Sequence, residues 1–88
     1  MLTDEEIAAA LASLPGWQQD AAAIRKVYEF AAYADAVKFV NRVADLAEAA
    51  NHHPDLLLAY KKVTVTLTSH DVNGVTSRDT EMARRIDG

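Results

Sequence analysis

The chain has 88 residues, half of them hydrophobic, and this size suits one compact domain with its own core. It has no cysteine, which excludes disulfides, thiolate nucleophiles and cysteine-ligated zinc. The formal net charge is −4 and the basic residues are scattered, which argues against nucleic-acid binding, because phosphate contacts need a basic face. The amino terminus does not have the pattern of a signal peptide, and no apolar run approaches the roughly 20 residues of a membrane span. We therefore expect a cytoplasmic protein.

The first third of the sequence predicts a helix followed by two strands. Thr3 and Glu6 have the spacing of a capping box, which marks the start of a helix. Pro15-Gly16 then marks a turn. Residues 17–19 and 24–30 have the composition and alternation of strands. The apolar side of the predicted helix consists of Ile7, Ala10, Leu11 and Leu14.

The middle of the sequence predicts one long helix, from Tyr33 to about His52. Its polar residues follow the helical spacing i, i+3, i+4, i+7, and most of the remaining residues are apolar. Pro54 disfavours helical geometry at His53, so the helix should end close to the two histidines. The polar stripe consists of Lys38, Asn41, Arg42, Asp45 and Glu48.

The last third predicts two strands and a final helix. Residues 57–60 and 62–69 have strand patterns, and in the second of these valine and leucine alternate with threonine. Residues 71–74 are typical of a turn. Thr76 or Ser77 can cap a helix that runs to about residue 86. The element order α-β-β-α-β-β-α predicts a single α+β domain over residues 1–88, with a four-stranded antiparallel sheet and three helices on one face.

All three histidines lie between positions 52 and 70, at the predicted ends of regular elements. If the long helix persists to His52, Glu48 lies four residues before it on the same face and can fix its tautomer. An imidazole has a reference pKa of about 6.5, so two or three of them around a pocket supply an acid and a base near neutral pH. The sequence thus predicts an acid–base site formed by His52, His53 and His70.

Two other interpretations of the histidines stay open at this point. A histidine at the end of a helix is often a cation that stabilises the helix dipole. A zinc site formed by the three histidines and Glu48 is the second alternative, although adjacent histidines diverge and the common ligand spacings are absent. From the residues alone, neither interpretation is excluded.

The spacing of these residues resembles the signature of the pterin-4a-carbinolamine dehydratase family. The segments that carry the resemblance are residues 49–54, with the His52-His53-Pro54 corner, residues 65–71 and residues 74–79. The likeness extends to residues 14–17 and 39–44, and so covers essentially the whole chain. The residues whose spacing matches the signature are Glu48, His52, His53, Pro54, Tyr60, His70 and Asp79.

The resemblance implies a hydro-lyase that converts a 4a-hydroxytetrahydropterin to the quinonoid dihydropterin, recycling the pterin cofactor of aromatic amino acid hydroxylases. It implies His52 and His70 as the acid–base pair, with His53 holding the pterin and Glu48 orienting His52. It also implies that Arg78 stabilises the leaving oxygen. Asp79 could be a helix cap or a site residue. Supporting positions next to the histidines are Pro54, Ser69 and Asp71. The pterin is the substrate, and neither a cofactor nor a metal ion is implied.

One residue departs from the family pattern, because Leu56 stands where the family commonly has tryptophan. Two other roles remain open on the resemblance. Some relatives act as dimerisation cofactors of a transcription factor, and a pterin role in molybdopterin metabolism is also compatible with the motif. The family further implies a homodimer or a homotetramer and a functional link to a hydroxylase.

Overall fold

The computed structural model describes all 88 residues and has the predicted element order. The elements are α1 (Asp4–Leu11), β1 (Gln18–Asp20), β2 (Ala23–Glu29), α2 (Tyr33–Ala50), β3 (Asp55–Ala59), β4 (Lys62–Leu67) and α3 (Ser77–Asp87). All strand pairs are antiparallel and the sheet order is β1-β2-β4-β3. The predicted single α+β domain with four strands and three helices is confirmed.

The predicted boundaries are close to the observed ones but differ at the strand and helix ends. β1 and β2 lie within one residue of their predicted positions. The strand predicted at 57–60 begins earlier, at Asp55, and the strand predicted at 62–69 ends at Leu67. Ser69 instead forms an isolated antiparallel bridge with Gly74, which closes the turn that follows β4. This bridge leaves His70 in the turn, three residues past the strand.

The core lies between the helices and one face of the sheet. On β4, Val63, Val65 and Leu67 are fully buried, whereas Thr64 and Thr66 between them are only partly buried. This is the period of two expected of a strand with one covered face. From β2, α2 and α3 the core receives Ile24, Ala36, Phe39, Val43, Met82, Ala83 and Ile86.

Helices α1 and α3 each begin with a capping box. In α1, the Thr3 hydroxyl accepts from the backbone N–H of Glu6, and the Glu6 carboxylate accepts from the backbone N–H of Thr3. In α3, Thr76 and Asp79 make the reciprocal pair. The sequence predicted the capping box of α1, and it predicted that Thr76 or Ser77 caps α3; the structure selects Thr76 and adds the reciprocal contact of Asp79.

The carboxyl end of α3 is attached to the sheet through Asp87. Its carboxylate accepts hydrogen bonds from Trp17 Nε1 at 2.8 Å, from Lys26 Nζ at 3.1 Å and from the Tyr28 hydroxyl. Burial raises the pKa of the Tyr28 hydroxyl, and the neighbouring Asp87 carboxylate raises it further, so Tyr28 stays protonated and donates. These contacts fix the position of α3 relative to β2.

Helix α2 ends in a Schellman motif, directly before the histidines. Asn51 adopts the left-handed conformation with φ 50° and ψ 43°. Its N–H donates to the carbonyl of Glu48, and the N–H of His52 donates to the carbonyl of Ala47 at 3.1 Å. Asparagine tolerates this conformation better than most residues. The helix therefore stops at Ala50, two residues before the predicted end. None of the three helices combines the length and the hydrophobicity needed to cross a bilayer.

Because Asn51 has a positive φ, we predict that position 51 accepts glycine but not a β-branched residue. Asn51→Val should lower the free energy of unfolding by about 1–2 kcal/mol, because a β-branched residue is strained at positive φ. Asn51→Gly should stay within about 0.5 kcal/mol of the parent protein, since glycine is unstrained there. Urea unfolding measures both. The matched control is Asn41→Val, at an exposed helical position of α2; equal losses at positions 41 and 51 would contradict the prediction.

Candidate active site

His52 is held by a buried carboxylate. Its Nε2 lies 2.5 Å from Oδ1 of Asp79, and the exposed fraction is 11% for the His52 side chain and 0% for that of Asp79. Because a carboxylate only accepts hydrogen bonds, Nε2 carries the proton and donates a hydrogen bond to Asp79. When the ring is neutral, Nδ1 is therefore the nitrogen with a free lone pair, which can accept a proton from another molecule.

The Asp79 carboxylate is completed by donors from two other segments. Its Oδ2 accepts from the Ser69 hydroxyl at 2.8 Å and from the backbone N–H of Thr76 at 2.9 Å. A buried charge is tolerated only when its lone pairs are hydrogen-bonded. The two roles that the sequence left open for Asp79 are thus filled together, because it caps α3 and also binds His52.

The prediction that Glu48 orients His52 is wrong. Glu48 Oε2 instead contacts Nε2 of the next residue, His53, at 2.7 Å. The physical reason is the helix end: the left-handed Asn51 turns the chain away from the helical path, so His52 no longer follows Glu48 on one face. The Glu48 and His53 side chains are 78% and 55% exposed. Such an exposed pair contributes little to stability, but it orients the His53 ring.

The third histidine is less constrained than the other two. His70 is exposed, and neither of its ring nitrogens forms a hydrogen bond within the protein. It lies in the turn after β4, next to Ser69, whose hydroxyl is buried against Asp79. The ring is therefore free to take either tautomer and to orient toward a bound molecule.

Arg78 forms an ion pair across the site with Asp71. Its Nη2 donates to both Asp71 oxygens, at 2.7 Å and 3.0 Å. These hydrogen bonds lower the pKa of the Asp71 carboxyl below its ordinary value, and the nearby positive charge of Arg78 lowers it further. Arg78 Nη1 donates to no protein group and is available to a ligand.

A chain of hydroxyl groups connects this ion pair to Asp79. Ser69 uses its only hydroxyl proton on Asp79, so in the 2.8 Å contact between Ser69 and Thr76 the Thr76 hydroxyl is the donor. Thr76 Oγ1 in turn accepts from the backbone N–H of Arg78 at 3.2 Å and from its Nε at 3.3 Å. Thr76 was predicted only as a helix cap; the Thr76-x-x-Asp79 spacing was the signal that it also orders the site.

The three histidines line one cavity of about 350 Å³. All of the lining side chains are polar, and the cavity lies where the ends of α2 and β4 meet the start of α3. Its size falls at the small end of the range of ligand pockets in proteins. The complete lining is Asn51, His52, His53, Thr68, Ser69, His70, Asp71 and Arg78.

A family model described as "Pterin 4 alpha carbinolamine dehydratase" matches residues 1–88. The chain belongs to this family. A protein of Koribacter versatilis, named for the same dehydratase, is 55% identical over 85 residues, covering 97% of this chain and 90% of the relative. A similarly named protein of Mycolicibacterium vanbaalenii is 44% identical over 88 residues, covering all of this chain and 95% of the relative. These relatives carry the name of a hydro-lyase.

A solved structure agrees with the family assignment. The crystal structure of a "transcriptional coactivator/pterin dehydratase" from Brucella melitensis superposes with a TM-score of 0.94 and is 40% identical in sequence. The superposition covers 98% of this chain and 94% of the Brucella chain. The pterin dehydratase fold is therefore present over the whole chain.

The structure brings together most, but not all, of the site residues that the family resemblance suggested. Besides the histidines, Ser69, Asp71 and Arg78 line the cavity, and Asp79 lies buried behind it. Glu48 and Pro54 line a neighbouring cavity, which they share with His53. No group of three or more histidine, aspartate or glutamate side chains is arranged to hold a metal ion.

The largest cavity of the molecule lies elsewhere. It measures about 620 Å³ and is lined by residues that include Lys26, Tyr28, Arg42 and Asp87, but it contains no histidine. Size alone would favour it as the active site. We assign the site to the smaller cavity, because it alone is lined by all three histidines, two of which are paired with a carboxylate.

We predict that Asp79→Asn changes the tautomer of His52. The backbone N–H of Thr76 and the Ser69 hydroxyl both need an acceptor, so the amide oxygen should face them and the amide N–H should face His52. The His52 proton then moves to Nδ1, which ¹⁵N NMR of the histidine rings detects at a pH where they are neutral. The free energy of unfolding should fall by about 1–3 kcal/mol, because hydrogen bonds to a charged group are weakened.

The matched control for that substitution is Glu48→Gln, which alters the exposed pair with His53. It should change the free energy of unfolding by less than about 0.5 kcal/mol. An unchanged His52 tautomer in Asp79→Asn would contradict the role assigned to the buried carboxylate.

We also predict that the pKa of Asp71 depends on Arg78. The pair contributes its stabilisation at pH values above the ordinary aspartate pKa and loses it as the pH falls through the lowered pKa of the folded state. Arg78→Gln should therefore raise the Asp71 pKa toward its ordinary value, as measured by ¹³C NMR titration of the carboxyl group. Arg84→Gln removes the same charge elsewhere on α3 and should leave the titration unchanged. Equal shifts in both variants would mean that overall charge, rather than the contact with Arg78, lowers the pKa.

Proposed function

We propose that the protein dehydrates a 4a-hydroxytetrahydropterin to the quinonoid dihydropterin by histidine acid–base catalysis. The observation that carries this proposal is the polar cavity in which His52, oriented by the buried Asp79, lies with His53 and His70. The family match over the whole chain supports the substrate class.

The reaction needs one proton delivered and one removed. The C4a–O bond breaks as the hydroxyl takes a proton and leaves as water, while N5 loses its proton and the C4a=N5 double bond forms. An acid and a base placed on the same substrate can therefore complete the step. Each such group typically contributes about 10²- to 10⁴-fold to the rate. Proton exchange with solvent then restores both groups.

We assign the base role to His52 and the acid role to His70. Neutral His52 keeps its proton on Nε2, which donates a hydrogen bond to Asp79, so Nδ1 is free to take the N5 proton. Asp79 then offsets the positive charge that the ring gains. His70 has no protein partner at either nitrogen, so in its protonated form it can donate to the leaving hydroxyl. This division follows from the different constraints on the two rings.

His53 and Arg78 serve to hold the substrate. The Glu48 carboxylate accepts from His53 Nε2, which leaves His53 Nδ1 to accept a hydrogen bond from the pterin. Arg78 Nη1 has no protein partner and can stabilise negative charge that develops on the departing oxygen. Asp71 keeps the guanidinium in position through Nη2.

The wider role that we propose is recycling of the pterin cofactor of aromatic amino acid hydroxylases in the cytoplasm, by a homodimer or homotetramer. A purely scaffolding role, such as the dimerisation cofactor considered above, would not require a buried carboxylate that fixes the tautomer of a cavity histidine. A role in molybdopterin metabolism would use the same site. Light scattering determines the oligomeric state.

We predict that the protein accelerates quinonoid dihydropterin formation in a rapid-mixing assay with chemically generated 4a-hydroxytetrahydropterin. His52→Ala and His70→Ala should each lower the turnover number at least about tenfold, because each removes one proton-transfer group. Asn41→Ala, at an exposed position in the middle of α2, is the control and should retain full turnover.

Three outcomes would argue against the proposal or part of it. No acceleration over buffer by the parent protein would refute the dehydratase function. Full activity in both histidine variants would refute the assigned roles. Loss of activity after treatment with a chelator would point instead to the zinc site that the sequence left open.

A further inference from the structure

A second, apolar cavity adjoins the histidine cavity. It measures about 240 Å³ and shares His53 with the polar cavity described above. The two spaces therefore meet at the His53 side chain. The lining of the apolar cavity is Ala44, Ala47, Glu48, His53, Pro54 and Leu56.

Small side chains on α2 and the register of β3 create this space. Ala44 and Ala47 contribute only methyl groups to the helical wall. Leu56 forms the opposite wall: it pairs with the fully buried Val65 and lies on the helix-facing side of the sheet. Pro54 has no N–H to donate, so its backbone adds no hydrogen-bond donor to the cavity.

Of the cavities next to the histidines, the apolar cavity offers an uncharged apolar group the most favourable free energy of binding. The histidine cavity itself has no apolar side chain in its lining. A third cavity, which adjoins it at His52 and Arg78, is lined by the charged groups of Glu81 and Arg85 as well. In the apolar cavity, the one charged carboxylate is that of Glu48, which is paired with His53 and would repel an anion.

We propose that this cavity receives an apolar substituent carried by the pterin substrate, and that Leu56 sets the size of substituent that fits. This inference rests on the proposed dehydratase function and adds the direction in which the substrate extends from the histidines. The polar ring system would occupy the histidine cavity and the substituent would pass His53. Burial of each additional methylene in the apolar cavity then favours the longer substrate.

The experiment compares two carbinolamines, generated chemically from 6-methyl- and 6-propyl-tetrahydropterin. The readout is the ratio of kcat/KM for the propyl substrate to kcat/KM for the methyl substrate. Leu56→Trp should lower this ratio at least about tenfold, mainly through KM of the propyl substrate. Propyl is two methylenes longer than methyl, and misfit of a single methylene in an apolar pocket already changes discrimination by about tenfold or more. Ala44→Leu should also lower this ratio, because it fills the cavity from the helical wall. Ala44 is exposed and is not part of the core, so the substitution should leave the fold intact.

The matched control is Leu57→Trp. Leu57 is the next residue on β3, is 67% exposed and pairs with Thr64 on the other face of the sheet, so the ratio should not change. A structural disturbance would lower kcat for both substrates and leave the ratio unchanged. If the parent protein acts on the methyl substrate but Leu56→Trp and Ala44→Leu both keep its ratio within about twofold, the cavity does not bind the substituent. If the parent protein accelerates neither reaction, the dehydratase function itself is refuted.

Discussion

The buried carboxylate of Asp79 joins the three segments that form the site. It accepts from the start of α3 through the N–H of Thr76, from the turn after β4 through Ser69, and from the end of α2 through His52. Separating any one of these segments would remove a hydrogen bond from a charge that has no access to water. The same contact that fixes the tautomer of His52 therefore also holds the local fold together.

Helix α3 is anchored at both ends by carboxylates, but the two anchors differ. Asp79 at its start is fully buried and binds a histidine. Asp87 at its end is partly exposed and binds Trp17, Lys26 and Tyr28 from the loop before β1 and from β2. With both ends fixed, Arg78 and Asp79 in the first turn of α3 keep a defined position relative to the sheet. This rigidity suits residues that must align with a substrate.

The order and type of the elements were predictable because each has a strong local signal. The alternation along β4, the capping box at Thr3, the cap at Thr76 or Ser77 and Pro54 after the long helix all predicted the observed structure. Which carboxylate binds which histidine was not predictable in the same way. Glu48 and His52 have helical spacing, and only the left-handed Asn51, a feature of three-dimensional structure, makes His53 the partner of Glu48. The three histidines were predicted from the sequence and the other site residues from the family resemblance, whereas the contacts among them needed the fold.

The two carboxylate–histidine pairs, Asp79 with His52 and Glu48 with His53, look alike in distance but differ in what they can do. The pair of Asp79 and His52 is shielded from solvent, so its hydrogen bond is not replaced by water and the tautomer is fixed. The pair of Glu48 and His53 is exposed, and water competes for both partners. A fixed lone pair is what a base needs, whereas a substrate contact can adjust as the ligand binds. The difference in burial is thus the physical reason to assign proton transfer to His52 and binding to His53.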